Sequence, residues 1–285
     1  MDEASPALDL TALRQWIGRN ETVQDTITPR LEASFRATLD RMPGQPAAGD
    51  LATAGIHWCL APPIALMDAL GDDGHPRRGG FLPPVPLPRR MWAGGKLTFL
   101  GPLEVGEVVT RTSRVEDVAI KEGRSGTLCF VTVHHAWSTE RGPALDEWQD
   151  IVYRALDGNT PLAAAAPVAQ PEALWQRCWT CDPVLLFRYS ALTFNGHRIH
   201  YDRRYVTEIE GYPDLIVHGP LQATVLMALA AEAQGETPRR FRFRSVAPLF
   251  ATGPFTAKAS REAGGLRLWV CDHAGYTTMT AQATW

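Results

Sequence analysis

The chain has 285 residues, room for one large domain or two of ordinary size. Its 45% hydrophobic and 21% charged residues describe a globular protein with a full core. A net charge of −3 gives no support to a nucleic-acid surface. The opening Met1-Asp-Glu-Ala-Ser-Pro6 is acidic and lacks an apolar run, which predicts no secretory or transit signal. The longest apolar run, Leu221 to Ala231, contains a glutamine and is too short to span a bilayer. Five irregularly spaced cysteines fit a reduced, cytoplasmic protein rather than a disulfide framework.

In chain order, Leu8 to Arg19 and Pro29 to Met42 read as amphipathic helices, with Asp9 or Thr11 and Thr28 as caps. Gly49 to Met67 reads as irregular or as a short buried helix, and Gly71 to Pro88 as a loop of Gly, Pro, Asp and His without a period. Lys96 to Leu100, Val105 to Val118, Gly126 to Trp137 and Trp148 to Arg154 are strand-like, rich in β-branched and aromatic residues. Residues 157–182 read as a linker, whose clearest part is the Ala/Pro-rich Asp157 to Glu172. It would separate an N-terminal domain, 1–156, from a C-terminal one, 183–285. Beyond it, Phe187 to Leu192 suggests a strand and His218 to Ala233 a helix. Phe241 to Val246, Phe255 to Arg261, Leu266 to Asp272 and Thr277 to Trp285 read as strands.

The halves echo each other. Gly126-Thr-Leu-Cys-Phe-Val-Thr-Val-His-His135-Ala136 lies without a gap on Gly264-Gly-Leu-Arg-Leu-Trp-Val-Cys-Asp-His273-Ala274, which puts His135 and His273 on equivalent strands. Upstream, Leu97 to Pro102 resembles Phe243 to Pro248. A period of roughly 140 residues means a duplicated domain, since solenoid repeats run about 20–50. Each unit would wrap an antiparallel sheet around a long helix. The two sheets would join edge to edge, which removes one exposed edge from each.

Polar chemistry concentrates in Phe187-Arg-Tyr-Ser-Ala-Leu-Thr-Phe-Asn195-Gly-His197-Arg-Ile-His200-Tyr-Asp202, followed by Leu215-Ile-Val-His218-Gly219-Pro220-Leu221. Asn195 and His200 are five apart, a spacing that needs a turn or a broken helix to bring both side chains to one point. Gly196 permits a tight or left-handed turn between them. Pro220 suits a first helical turn, which leaves the Gly219 and Leu221 N–H groups free to bind an anion or a carbonyl oxygen. An amide and an imidazole facing such donors are parts for adding water to an activated carbonyl compound.

These segments resemble the MaoC-like dehydratase/hydratase family, the type 2 enoyl-thioester hydratases. With Arg89-Arg-Met-Trp92-Ala-Gly-Gly95 they look like its double-hotdog branch, which includes the mitochondrial hydroxyacyl-thioester dehydratase and the mesaconyl-CoA and itaconyl-CoA hydratases. The resemblance covers most of the chain and is weakest over the first 85 residues. It implies an α+β double hotdog and a hydro-lyase acting on an acyl-CoA. The wider family has aspartate, asparagine and histidine where this chain has Asn195, His197 and His200. Gly219 matches the glycine whose N–H polarises the thioester carbonyl, so the catalytic set would be Asn195, His200 and Gly219. The N-terminal half would shape the acyl pocket.

On this reading His200 takes the water proton, Asn195 holds the water, and His197 and His218 assist as hydrogen-bonding neighbours. Trp92 lines the pocket or is simply core. Arg240, Arg242 and Arg244 share one strand face and bind coenzyme A phosphates or form a solvated surface. Asp202 orients His200 or caps a turn. The Cys178-x-x-Cys181 spacing lacks a redox or zinc context. The expected substrate is mesaconyl-CoA or itaconyl-CoA. The alternatives are a 3-hydroxyacyl-thioester dehydratase, a hotdog thioesterase and a non-catalytic acyl-CoA-binding protein. No metal and no cofactor beyond substrate coenzyme A are expected, nor is a nucleic-acid or membrane partner. The expected assembly is a homodimer or a higher homo-oligomer.

Overall fold

The computed structural model describes residues 8–123, 126–155 and 170–285. Helix α1 (Leu10–Arg14) is capped by Asp9, whose carboxylate accepts from the Ala12 N–H. Strand β1 (Asn20–Thr26) follows, and its polar, alternating sequence had given no strand signal. Helix α2 (Pro29–Thr38) starts where Thr28 Oγ1 accepts from the Leu31 N–H. Both helices stop several residues short of their expected ends.

Four long strands come next: β2 (Arg89–Phe99), β3 (Val108–Gly123), β4 (Gly126–Thr139) and β5 (Gly142–Arg154). The second half runs β6 (Trp175–Trp179), α3 (Pro183–Leu192), α4 (Gly219–Gln234), β7 (Arg240–Ser245), β8 (Phe255–Glu262), β9 (Gly265–Cys271) and β10 (Thr277–Thr284).

These ten strands form a single sheet in the order β1-β3-β4-β5-β2-β7-β10-β9-β8-β6. Counted outward from the β2–β7 pair, the two halves have the same connectivity. The duplication read from the sequence is therefore present in the topology, and β4 and β9, which carry the echo, hold equivalent places. The seam pairs Gly94 with Arg244 through Thr98 with Arg240. The echo outlasts the strand: β9 ends at Cys271, so His273 lies in the following turn, whereas His135 sits on β4 bonded to Ser113 Oγ.

Helix α4 is buried from Leu221 to Ala230 and packs on β6 through β10. Its apolar circumference requires such a sheath. Among the described residues the first half has no matching long helix, contrary to expectation. Its inner face is covered in pieces. The 3₁₀ turn Ile56–Cys59 sits against α4 next to Gly55, which abuts Thr224 and Met227. Phe81, Leu82, Val85, Leu87 and Leu13 cover Val115, Val131, Val133 and Tyr153. A buried carboxylate, Glu147, accepts from Trp58 Nε1 at 2.7 Å, Trp137 Nε1 at 3.0 Å and Gln149 Nε2 at 2.8 Å, so the charge enters the core with its hydrogen bonds made.

Two further expectations are corrected. Phe187 to Leu192 belongs to α3, because Asp182 accepts from the Leu185 N–H at 2.8 Å and Pro183 opens the helix. Trp175–Trp179, expected within the linker, is the edge strand of the second half and pairs with β8. The linker residues 157–169 lie outside the described residues.

The seam tolerates no side chain at two of its residues. A β-carbon on Gly94 would lie 2.7 Å from the Phe243 carbonyl oxygen, and one on Gly95 would lie 2.7 Å from both the Phe243 ring and the Trp148 carbonyl oxygen. Gly95→Ala is expected to cost about 1–3 kcal/mol and lower the urea midpoint. Gly80→Ala, with nothing within 4 Å of the new methyl, should leave the midpoint in place. Equal midpoints for the two variants would contradict the close seam.

Candidate active site

The chain leaves α3 through Phe194, which adopts a positive φ of 50°, and Asn195 Oδ1 then accepts from the His197 N–H at 3.0 Å. That bond closes a local Asx turn and leaves the carboxamide NH₂ as the group Asn195 can offer a ligand. Gly196 is required for a different reason from the one expected. Its φ is not positive, but a β-carbon there would lie 2.8 Å from the Gly74 carbonyl oxygen. Two glycines thus let a first-half loop lie directly on the polar turn. The contact is secured by Arg198, whose N–H donates to Asp73 O at 2.9 Å and whose guanidinium donates to Asp72 O at 3.0 Å.

His200 follows in the 3₁₀ turn Arg198–His200 and is buried. Its Nδ1 lies 2.7 Å from the Ile216 carbonyl oxygen. A carbonyl can only accept, so Nδ1 carries the proton and Nε2 holds the free lone pair. His218 stacks on this ring at 3.6 Å between centroids and 20° between planes. Its Nε2 shares a 2.8 Å hydrogen bond with Ser190 Oγ, and its Nδ1 is buried without a partner among the described residues.

Gly219 comes next and begins α4, with no side-chain cap on the helix. Among the described residues, neither its N–H nor that of Leu221 has a hydrogen-bond acceptor. Trp92 roofs this helix tip, 3.4 Å from where a Gly219 β-carbon would be, and its carbonyl is fixed by Ser245 Oγ at 2.8 Å. His197 meets His200 edge-on at 5.4 Å, and His75 lies 4.1 Å from His197. His75 Nδ1 is in turn 3.2 Å from Asp73 Oδ2.

Of the residues expected at the site, Asn195, His197, His200, His218, Gly219 and Trp92 are joined by this chain of contacts. Arg240, Arg242 and Arg244 are not: they are exposed on the outer face of β7, and Phe241 and Phe243 face the core. Asp202 pairs with Arg198 at 2.8 Å and caps Tyr205, so it serves the turn and does not orient His200. Burial, first among its causes, pushes the Cys181 thiol up to about 12, which disfavours the reactive thiolate. Sequence reasoning missed Asp73, Gly74, His75 and Ser190. An Asp-x-His triplet in a loop was visible, but nothing local tied that loop to a turn more than a hundred residues on.

All four imidazoles are kept uncharged. Burial lowers His200 to about 4, against a partial rise from its bond to Ile216. Burial likewise lowers His75 to about 4, helped by the Arg90 charge and opposed by Asp73. His197 and His218 lie well below the usual imidazole value, again mainly through burial. The nitrogens of His75 and His197 and an oxygen of Asp73 lie within 4.8 Å of one another, close enough for a metal ion. The Arg90 charge felt by all three works against a cation there.

This is the architecture of a double-hotdog hydro-lyase. The family described as hydroxyacyl-thioester dehydratase type 2 matches residues 55–251, and the chain belongs to that family. It is 43% identical over 269 residues to the mesaconyl-C(4)-CoA hydratase of Chloroflexus aurantiacus, covering 93% of this chain and 95% of that protein. It is 26% identical over 244 residues to the mitochondrial hydroxyacyl-thioester dehydratase type 2 of Schizosaccharomyces pombe, covering 76% and 79%. Among solved structures, a MaoC-like dehydratase from Phytophthora capsici superposes with a TM-score of 0.68 at 14% identity over 98% of this chain and 99% of that one. A Mycobacterium tuberculosis protein with a double hotdog fold gives 0.56 at 16% identity over 94% and 95%. These distant likenesses carry the fold alone.

Neutral burial of histidines has a consequence for stability. His57, His75 and His200 titrate near 6.5 when unfolded and at about 4 when folded, so the unfolded chain takes up protons first on acidification. Stability is therefore full above pH 6.5 and is lost as the pH falls from 6.5 towards 4. The melting temperature should drop steadily across that window, and a flat profile would show that these rings are not held neutral.

Proposed function

We propose that the protein hydrates an α,β-unsaturated acyl-CoA bearing a second carboxylate, with mesaconyl-C(4)-CoA giving a citramalyl-CoA as the favoured pair. The reading rests on one observation above the others: a buried His200 with Nδ1 committed and Nε2 free, stacked beside the open amides at the tip of α4. The substrate follows from the likeness to the Chloroflexus hydratase. Five free cysteines fit a cytoplasmic setting.

Hydration needs a base for the attacking water, a proton for the α-carbon and a donor for the enolate oxygen. His200 Nε2 takes the water proton. The Asn195 NH₂ donates to the water oxygen and fixes its approach to the β-carbon. The Gly219 N–H, at the positive end of α4, holds the thioester oxygen as charge develops on it. An amide cannot take up a proton here, so the same imidazole returns its proton to the α-carbon, which requires syn addition. His218 stacks on the His200 ring, and Trp92 lies over the helix tip.

His200→Ala should lower turnover at least ~10²-fold without changing the circular dichroism spectrum. An unaffected rate would remove His200 from the reaction. For the wild type, kcat/KM should stay level on acidification to about pH 5, because burial holds His200 at about 4. An acid limb at the ordinary histidine value would mean that His200 is solvated or is not the base. Loss of enoyl-thioester absorbance, followed across a panel of CoA esters, tests the substrate class. Release of free thiol would instead indicate thioester hydrolysis.

A further inference from the structure

Arg90 is the charged group at this site that the chemistry above leaves unused. Its neighbours in kind are already committed. Arg89 bonds Glu210 and lies over the Tyr212 ring at 4.7 Å, and Arg78 donates to the carbonyls of Val85, Leu87 and Pro88. Arg90 is half-buried and has no carboxylate at ion-pair distance among the described residues. On β2 it stands two residues before Trp92 and opposite Tyr153 of β5. It therefore shares a strand face with Trp92, and its charge is felt by Asp73, His75 and His197.

The nearby carboxylate is already in use: Asp73 accepts from the His75 N–H at 3.0 Å and pairs with His75 Nδ1 at 3.2 Å. His197 is buried, yet neither ring nitrogen has a partner among the described residues. A half-buried guanidinium without a counter-ion, next to an imidazole whose ring nitrogens are not taken up by the protein, is a pair of groups suited to an anion. An anion bound by both would neutralise the guanidinium and give the imidazole a partner.

We infer that Arg90, with the His197 N–H beside it, binds a carboxylate carried on the β-carbon of the acyl group and so selects dicarboxylyl thioesters. The Asp73–His75 pair backs His197 and holds its ring. This inference rests on the substrate class proposed above. In a mesaconyl-C(4) thioester the free carboxylate is bonded to the very carbon that water attacks. Its binding site must therefore adjoin the base, and the His200–His197–His75 series at 5.4 and 4.1 Å provides that adjacency. Pairing with a guanidinium also withdraws charge from a substituent that would otherwise make the β-carbon a poorer electrophile. Arginine suits the task because its fork meets both carboxylate oxygens.

The test compares mesaconyl-C(4)-CoA with 3-methylcrotonyl-CoA, which has a methyl group in place of the carboxylate. If the wild type fails to prefer the dicarboxylyl ester, the substrate class falls before any variant is made. If it does prefer it, Arg90→Met should lower the ratio of the two kcat/KM values by ~10- to 10²-fold, mostly through KM of the dicarboxylyl ester. Arg90→Lys should recover part of the ratio, having the charge without the fork. His197→Gln gives a second reading of the same ratio should Arg90→Met fail to fold. An equal fall for both esters, or no change in the ratio, would overturn the assignment. So would a wild-type gain in melting temperature with Zn²⁺ that His75→Gln abolishes, since that would place a cation in the cluster.

Discussion

On the proposed mechanism everything depends on the hydrogen bond from His200 Nδ1 to the Ile216 carbonyl, because it decides which ring nitrogen is left to take a proton. The carbonyl is held in place by its own strap. Ile216 N–H donates to Ile199 O, Val217 N–H to Leu249 O and Ala251 N–H to Leu215 O. The strap runs directly into α4, so the segment that fixes the tautomer also delivers His218 under the ring and the Gly219 amide beside it. Burial then holds the imidazole neutral. Tautomer, charge state and the open amide at the helix tip all follow from one short segment pinned between a turn and a helix.

The two halves divide the remaining work. The second half keeps the long helix and the polar turn. The first half keeps the strands and has exchanged a long helix for a turn, Ile56–Cys59, and two loops that fill the same inner face. From that half come the tryptophan over the tip of α4 and the loop against the polar turn. Trp92 stands on β2 at the seam, braced edge-on by Trp58 at 5.2 Å, which is itself anchored on buried Glu147. The loop carrying Asp73 and His75 lies on the turn through the Gly74–Gly196 contact. The close β2–β7 seam therefore sets how Trp92 lies over the tip of α4, and a half without the Asn/His motif still contributes to the proposed site.

Much of this was legible in the chain. The internal echo fell on β4 and β9, Pro220 marked the start of α4, and the all-round apolar helix announced that it would be wrapped. The clustering of Asn195, His197, His200 and His218 was readable because it is local. The failures have identifiable causes. Phe187 to Leu192 is apolar and aromatic, which suits a strand as well as a buried helix, and the Asp182-Pro183 start signal that settles it stood just upstream. Strand β1 is polar because one of its neighbours is solvent. The His75 loop has no period, and its position follows from a tertiary contact that no spacing encodes. Arg90 sat in a recognised motif, but which of two adjacent arginines faces inward depends on pleat and bulge.

The most direct measurement is a ¹⁵N NMR titration of the histidine side chains in the free protein, with His200 assigned by its loss in His200→Gln. The expected spectrum at pH 6 is that of a neutral ring protonated at Nδ1, with Nε2 bare and no uptake of a proton until the pH approaches 4. A His200 ring that is already an imidazolium at pH 6, or is neutral with its proton on Nε2, would contradict the mechanism at its base.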